Sequence, residues 1–427
     1  MGTPMASAEP LWFPDFRPRR VAVVVAGAGA RGGYEAGVLS VLLPCLEAAG
    51  VVPTLFVGTS AGAINATLYA AAAHLPAVEQ GEAVLEVWRN IRTHHVFRSP
   101  MKTGIGSTGK WVGQLLRIRG LTLTSLLDTS PLRQLARTVV KWDQLRTNLD
   151  DGRIALAVVT TSGADNRTVV FVDRGGADLP PSDDSRPIDY RRAKIGPDHV
   201  LASAAIPVVF PPVRVPAEDG TPSGWYIDGG VRLNTPLKPA LALEADAVVI
   251  VANHPAFDAA SGIEHTQPGT PPDVDDTLVR VIDAALVDRM IEDVNTLAKI
   301  NVQVGAAEQL GSSGQSVANH AVVPFLAIGP PDRGTLGLLA AEVFDRRPGG
   351  LGGLRRLAAD PDMRLLGRLL HGDGSRRGDL LSYLFFEPEF MEAAIERGRS
   401  DAKAAFDDVI PGRVPWQFGP PNERAKR

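Results

Sequence analysis

Val51-Val52-Pro53-Thr54-Leu55-Phe56-Val57-Gly58-Thr59-Ser60-Ala61-Gly62-Ala63-Ile64-Asn65-Ala66 runs from an apolar segment, through a glycine-flanked serine, into an alanine-rich stretch that continues to Ala73. The apolar part reads as a buried strand, and alanine, the best helix former, marks the part after Ser60 as helix. A G-x-S-x-G pattern at a strand-to-helix turn is a nucleophile elbow. Gly58 and Gly62 permit the sharp turn, the Ser60 hydroxyl is held outward, and the following helix directs its positive end toward developing negative charge. Ser60 is therefore the candidate nucleophile. The competing reading, a plain glycine-serine turn, needs neither the strand before it nor the helix after it.

Upstream, Val21-Ala22-Val23-Val24-Val25 reads as another buried strand, leading into Gly27-Ala28-Gly29-Ala30-Arg31-Gly32-Gly33 and a helical stretch through Leu43. The cluster admits two readings. As G-x-G-x-x-G it is a dinucleotide-binding turn, which needs a carboxylate about 20 residues on to hold a ribose hydroxyl. The next strand ends instead in Gly58-Thr59-Ser60. In the other reading, the backbone N–H groups of Gly27, Ala28, Gly29, Ala30, Arg31 and Gly32 form an oxyanion hole for acyl transfer. Loops after consecutive strands of a parallel sheet lie side by side, which would bring this one to Ser60. A merely tight turn would not call for Arg31 among small residues.

The third cluster is Tyr226-Ile227-Asp228-Gly229-Gly230, followed by Asn234-Thr235-Pro236. An Asp between a short apolar strand and two glycines often only caps a turn. A serine nucleophile, however, needs a base within hydrogen-bond reach, and Gly229 and Gly230 leave the Asp228 carboxylate unobstructed.

Taken in order, these clusters resemble those of the patatin-like phospholipases: a glycine-rich loop with a basic residue (Gly27 to Gly32), a G-x-S-x-G elbow (Gly58 to Gly62) and a late D-G-G (Asp228 to Gly230). Leu201-Ala202-Ser203-Ala204-Ala205-Ile206-Pro207, ahead of Asp228, is similar to that family's Ala-Ser-x-Ala-x-Pro segment. The resemblance runs from about Arg20 to residues 381–402, more weakly toward its end. Ala28 stands where many members have glycine, and a methyl group fits there if the residue has a negative φ.

The resemblance implies a three-layer α/β/α fold with a mostly parallel central sheet, inserted loops and a helical C-terminal part. It also implies a Ser-Asp dyad without histidine, acting on lipid or phospholipid esters with no cofactor or metal. Ser60 attacks the ester, Asp228 takes its proton, and the Gly27–Gly32 backbone, helped by the Arg31 guanidinium, stabilises the oxyanion. A carboxylate is a weak base for a serine hydroxyl, so burial must raise the Asp228 pKa. A Ser-Asp-His triad is the competing enzyme reading; it needs a histidine after the acid, and His254, following the apolar run 245–251, has the best context. His199, His320 and His371 have poorer contexts, and His94 and His95 precede the acid. Two non-hydrolytic alternatives are a dinucleotide-binding protein and a patatin-fold binding protein.

Composition agrees with an α/β enzyme. The 44 Lys and Arg against 48 Asp and Glu argue against a nucleic-acid partner. The single cysteine, Cys45, excludes a disulfide framework. No His/Cys/Asp cluster suggests a metal, and no segment reads as a signal peptide or membrane span, so the cytoplasm is the expected compartment.

The coarse pattern predicts strands over 21–26, 55–57, 154–160, 168–172, 224–227 and 247–252. It predicts helices over 36–49, 61–73, 78–91, 277–304 and 387–406. The organisation expected is an N-terminal extension 1–19, a catalytic domain 20–345, a C-terminal helical part 346–410 and a weakly ordered tail 411–427. Within the catalytic domain, residues 89–141 carry Arg92, Arg98, Lys102, Lys110, Arg117, Arg119, Arg133 and Arg137 against a single acid, Asp128, with Trp111, Leu115 and Leu116 interleaved. This stretch is expected either to contact anionic membrane at its periphery as a lid or docking surface, or to pack its apolar side on the core.

Overall fold

The computed structural model describes residues 17–98, 125, 127–207, 209–218, 223–255, 288–309, 321–346, 377–407 and 409–419. Its centre is a mixed sheet whose strands are β1 (Val21–Val25), β2 (Pro53–Thr59), β3 (Ala155–Ser162), β4 (Thr168–Asp173), β5 (Ile188–Arg192), β6 (Val213–Val215), β7 (Gly224–Asp228), β8 (Ala247–Val251) and β9 (Phe325–Ile328). The order is β5-β4-β3-β2-β1-β8-β9, with β7 also on β3 and β6 on β7. The β3-β2-β1-β8-β9 block is parallel, whereas β4 and β7 lie antiparallel to β3.

Strands of a parallel sheet are apolar on both faces because helices cover both. β1 demonstrates this: Val21, Val23 and Val25 enter one core, while Ala22 and Val24 enter the other. The first core takes helices α1 (Gly32–Ala48), α2 (Ala61–Ala72) and α3 (Ala77–Asn90) and the late helix Pro388–Ala404; the second takes Leu237, Ile291, Val294 and Leu297 from helices Leu237–Ala242 and Asp288–Gln309. The architecture is therefore α/β/α, as expected.

The strands predicted near 21–26, 55–57, 154–160, 168–172, 224–227 and 247–252 are present, and β5, β6 and β9 are additional. The start of the helix predicted from 277 lies outside the described residues, as do His320, His371 and the bases Lys102, Lys110, Arg117 and Arg119. The late helices belong to the first core: Phe385, Phe390, Met391 and Ile395 are buried there with Leu39 and Tyr34. Part of the expected weakly ordered tail is instead paired, since Gln417 and Phe325 exchange backbone hydrogen bonds of 2.7 and 2.9 Å. Segment 89–141 is pinned at its neck, where Arg98 and Asp128 exchange backbone hydrogen bonds of 2.9 and 3.1 Å. Val96, Phe97, Leu127 and Leu132 are buried in the core, so the described flanks of this segment pack inward.

Candidate active site

β3 brings Ser60 and Asp228 together. One edge of β3 is taken by β4 across Leu156–Thr161, so β2, at 155–159, and β7, at 160–162, share the other. β2 runs parallel to β3 and β7 antiparallel, so the two strands meet end to end, Thr59 opposite Val159 and Asp228 opposite Thr160. The residue after β2 and the last residue of β7 thus become neighbours although 168 positions apart: Ser60 Oγ donates to Asp228 Oδ2 at 2.6 Å.

Ser60 sits at the elbow with φ 55° and ψ −127°, a conformation that costs a non-glycine residue on the order of 1–3 kcal/mol. Close approach explains both flanking glycines: a Cβ on Gly58 would run into the backbone of Gly62 and Ala63, and one on Gly62 into the carbonyls of Val25 and Ala26. The strained N–H of Ser60 is held by Ser203 Oγ (2.9 Å), which itself donates to Val159 O at 2.5 Å. Ser203 lay within the segment similar to the family motif, and its contact with Ser60 was not legible there.

Asp228 is 5 % exposed. Burial pushes its carboxyl up to about 7, against the lowering effect of its hydrogen bonds from Ser60 and from the Gly230 N–H, the latter at 2.7 Å to Oδ1. Gly229 packs so tightly on Val159 that a Cβ there would meet the Val159 carbonyl.

The Gly27–Gly32 loop faces this pair. A Cβ on Gly27 would stand 3.2 Å from Ser60 Cβ, and Gly29, at φ +54°, lines one cleft with Ser60. Ala28 has φ −139°, the negative value that accommodates its methyl group. Gly27 N–H donates to Asn234 O and Arg31 N–H to Ala28 O, both internal bonds, so the amides of Ala28, Gly29 and Ala30 are the loop's candidate donors to an external oxyanion.

A model of the patatin-like phospholipases matches residues 23–241, a span that holds the loop, the elbow and Asp228 and exceeds half of the chain. The chain belongs to that family. Among solved structures it is similar to VipD from Legionella pneumophila, at 13% identity and a TM-score of 0.35, over 91% of this chain and 66% of that one. It is also similar to the ExoU–SpcU heterodimer of the Pseudomonas aeruginosa type III secretion system, at 16% identity and a TM-score of 0.28, over 86% of this chain and 75% of that one. No curated protein matches it. Values this low leave the assignment to the family match.

The expectation that the Arg31 guanidinium assists the oxyanion needs correction. Arg31 is fully buried, and its donors are taken: Nε by Ser382 Oγ (2.8 Å), Nη1 by His254 Nε2 (3.2 Å) and Tyr383 OH (3.4 Å), Nη2 by Asp379 O (3.3 Å) and Oδ1 (3.0 Å). The guanidinium also lies 4.1 Å from the centre of the Tyr383 ring. A planar group with five N–H donors suits such a shell. Arg31 therefore ties helix Arg377–Leu384 to the glycine loop. Arg31→Met, which fills the stem's space and removes every donor, is expected to lower unfolding stability by about 3 kcal/mol in urea denaturation, because the buried acceptors around Arg31 lose their shared cationic donor.

His254 belongs to the same cluster. Its Nε2 lies 2.9 Å from Tyr383 OH and 3.2 Å from Arg31 Nη1, while Nδ1 is buried without a partner. Burial, with the Arg31 charge beside it, holds its pKa well below the usual imidazole range. Among the described residues no histidine hydrogen-bonds Ser60 or Asp228, and His199 instead caps its own helix through Gly196 N–H (3.2 Å).

An apolar cleft opens on Ser60, with about 460 Å³ of empty space, part of it open to solvent. Ile64, Trp88, Leu132, Ile206, Phe210 and Phe386 form much of its wall. Phe386 and Tyr383 come from beyond the span of the family match, and their place at the cleft was not readable from local sequence. Among the described residues, no helix is long and apolar enough to cross a membrane, and no group of His, Cys, Asp and Glu is arranged to hold a metal.

Proposed function

We propose that the chain is a serine acyl hydrolase that cleaves lipid carboxylic esters, of phospholipase A or lysophospholipase type, through a Ser60–Asp228 dyad. The observation that carries this reading is the 2.6 Å hydrogen bond from Ser60 Oγ to a buried carboxylate at a strained elbow. As Oγ attacks the ester carbonyl, its proton passes to Asp228, and the carbonyl oxygen becomes an oxyanion facing the amides of Ala28 to Ala30. Collapse of that adduct breaks the ester bond; protonated Asp228 returns the proton to the leaving alkoxide, leaving an acyl-serine. Water then attacks the acyl-serine and gives one proton to Asp228; collapse of this second adduct breaks the bond to Ser60 Oγ and releases the carboxylic acid, and Asp228 returns the proton to Oγ. Gly230 N–H keeps Asp228 aimed through its other oxygen, and the apolar cleft suits an acyl chain.

The reading is tested with p-nitrophenyl esters of graded chain length and a fluorophosphonate probe. Covalent labelling of wild type at Ser60, retained in His254→Ala, is the expected result; absence of labelling would leave a binding protein, and loss in His254→Ala a triad. A carboxylate base also predicts pH dependence. Because only ionised Asp228 accepts the proton, log kcat/KM should rise with unit slope below about pH 7 and level off above it. A profile flat from pH 5 to 8 would remove Asp228 as the base.

We further propose that segment 89–141 brings anionic lipid to the cleft. Its basic composition supports this, as do Val96 and Leu132 at the cleft wall. Sedimentation with phosphatidylserine vesicles should fall when Arg117 and Arg119 are changed to Glu, and binding indifferent to anionic lipid would end the idea.

A further inference from the structure

The hydrolysis described above leaves one fully buried carboxyl without a role. Glu35, in the first turns of α1, accepts a hydrogen bond from Asn65 Nδ2 at 3.1 Å on one oxygen and from Asn253 Nδ2 at 3.5 Å on the other. The same two amides reach the glycine loop. Asn253 Nδ2 donates to the Gly27 carbonyl at 2.7 Å, and Asn65 Nδ2 to the Gly32 carbonyl at 3.0 Å. One carboxyl therefore bridges the side chains that hold both ends of the loop, drawn from α2 and from the segment after β8.

The consequence follows from the planar peptide. The Gly27 carbonyl and the Ala28 N–H belong to one rigid unit, so fixing the carbonyl fixes where the N–H points. Ala28 begins the set of loop amides not committed to the internal bonds of Gly27 and Arg31. The network extends to the cleft wall as well: Asn65 Oδ1 accepts from Trp88 Nε1 at 2.7 Å, and the Trp88 ring packs where a Gly32 side chain would stand.

We propose that Glu35 is a positioning residue for the hydrolysis, its carboxyl bridging Asn65 and Asn253 so that the Gly27–Gly32 loop presents its amides to the oxyanion at Ser60. The proposal rests on the dyad reading above. Burial pushes the Glu35 carboxyl well up, and the two asparagine bonds oppose that shift. A group so costly to bury is not there for packing, since Leu fills similar space without the desolvation penalty. An error of about 1 Å in a reacting geometry costs on the order of 100-fold in rate, comparable to losing one oxyanion donor.

Glu35→Leu removes both acceptors, and Glu35→Gln keeps one while turning an amide toward the other asparagine. With kcat counted per site titrated by fluorophosphonate, the expected loss is about 100-fold for Leu and about 10-fold for Gln, with KM within about twofold. Asn253→Ala should resemble Glu35→Gln, and the Glu35→Gln/Asn253→Ala double variant should fall no further than the worse single variant. Four variants bear on the point, so failure of Glu35→Leu to fold leaves the other three to decide. Unchanged kcat per titrated site in Glu35→Gln and Asn253→Ala, with only a lower denaturation midpoint, would reduce Glu35 to a structural group and overturn the proposal. A wild type that neither labels nor hydrolyses any ester would overturn the dyad reading itself, a result distinct from an active wild type with unaffected variants.

Discussion

Ser60→Ala is expected to abolish fluorophosphonate labelling and to lower ester hydrolysis by at least about 10⁴-fold, because the variant lacks the Oγ on which the proposed acyl-enzyme forms. Stability should hardly change, since alanine keeps the elbow at φ 55° and loses only the 2.6 Å bond to Asp228. Ser60→Gly separates the two effects. It is equally inactive, yet relieves the positive φ and should raise stability by about 1 kcal/mol. Urea denaturation of the three proteins beside their hydrolysis rates checks both; residual labelling of Ser60→Ala at the wild-type rate would mean that another residue is the nucleophile.

Asp228→Asn should cost about 10³- to 10⁴-fold in kcat, since asparagine keeps the shape and cannot take the proton. Its effect on stability runs the other way and depends on pH. In the folded chain the Asp228 carboxyl is pushed up to about 7 from an ordinary 3.8. Between those values the unfolded chain has lost the proton while the folded chain keeps it, so the wild type loses stability as pH rises from about 4 to 7 and none further above. The cost of ionising this buried group is on the order of 4 kcal/mol above pH 7, an upper bound that hydrogen bonding in the variant will alter. Asparagine removes the titration. Asp228→Asn should therefore exceed the wild type in stability by a few kcal/mol at pH 8, the gap closing toward pH 4. A gap independent of pH would mean that the carboxyl titrates normally.

The parts of the site that were legible in advance are those whose physics is local. The apolar run 51–57, Gly58, Gly62 and the alanines after Ser60 specify strand, elbow and helix through steric freedom and helix propensity alone. Strands β5 and β9 escaped for equally local reasons. Ile188-Asp189-Tyr190-Arg191-Arg192 carries charges because β5 is the sheet edge, and Phe325–Ile328 is four residues long behind Pro324. Glu35, Asn65 and Asn253 did leave a signal, each a polar residue in apolar surroundings. The signal says that a partner exists without saying which.

Arg31 marks the boundary. Its presence among glycines pointed to the oxyanion, whereas its guanidinium is spent on a helix about 350 positions away, with Asp379, Ser382 and Tyr383. The sequence by itself determined the chemical inventory: a serine at a forced turn, a carboxylate before two glycines, a loop of exposed amides, and strands apolar on both faces. Only the tertiary structure decided that Asp228 rather than His254 reaches Ser60, that its carboxyl is buried enough to be pushed up to about 7, and that Arg31 turns away from the reaction. The reason is that backbone turns and strand polarity are written within a few residues. Which side chains meet, and how much water they keep, depends on the register by which β2 and β7 share one edge of β3.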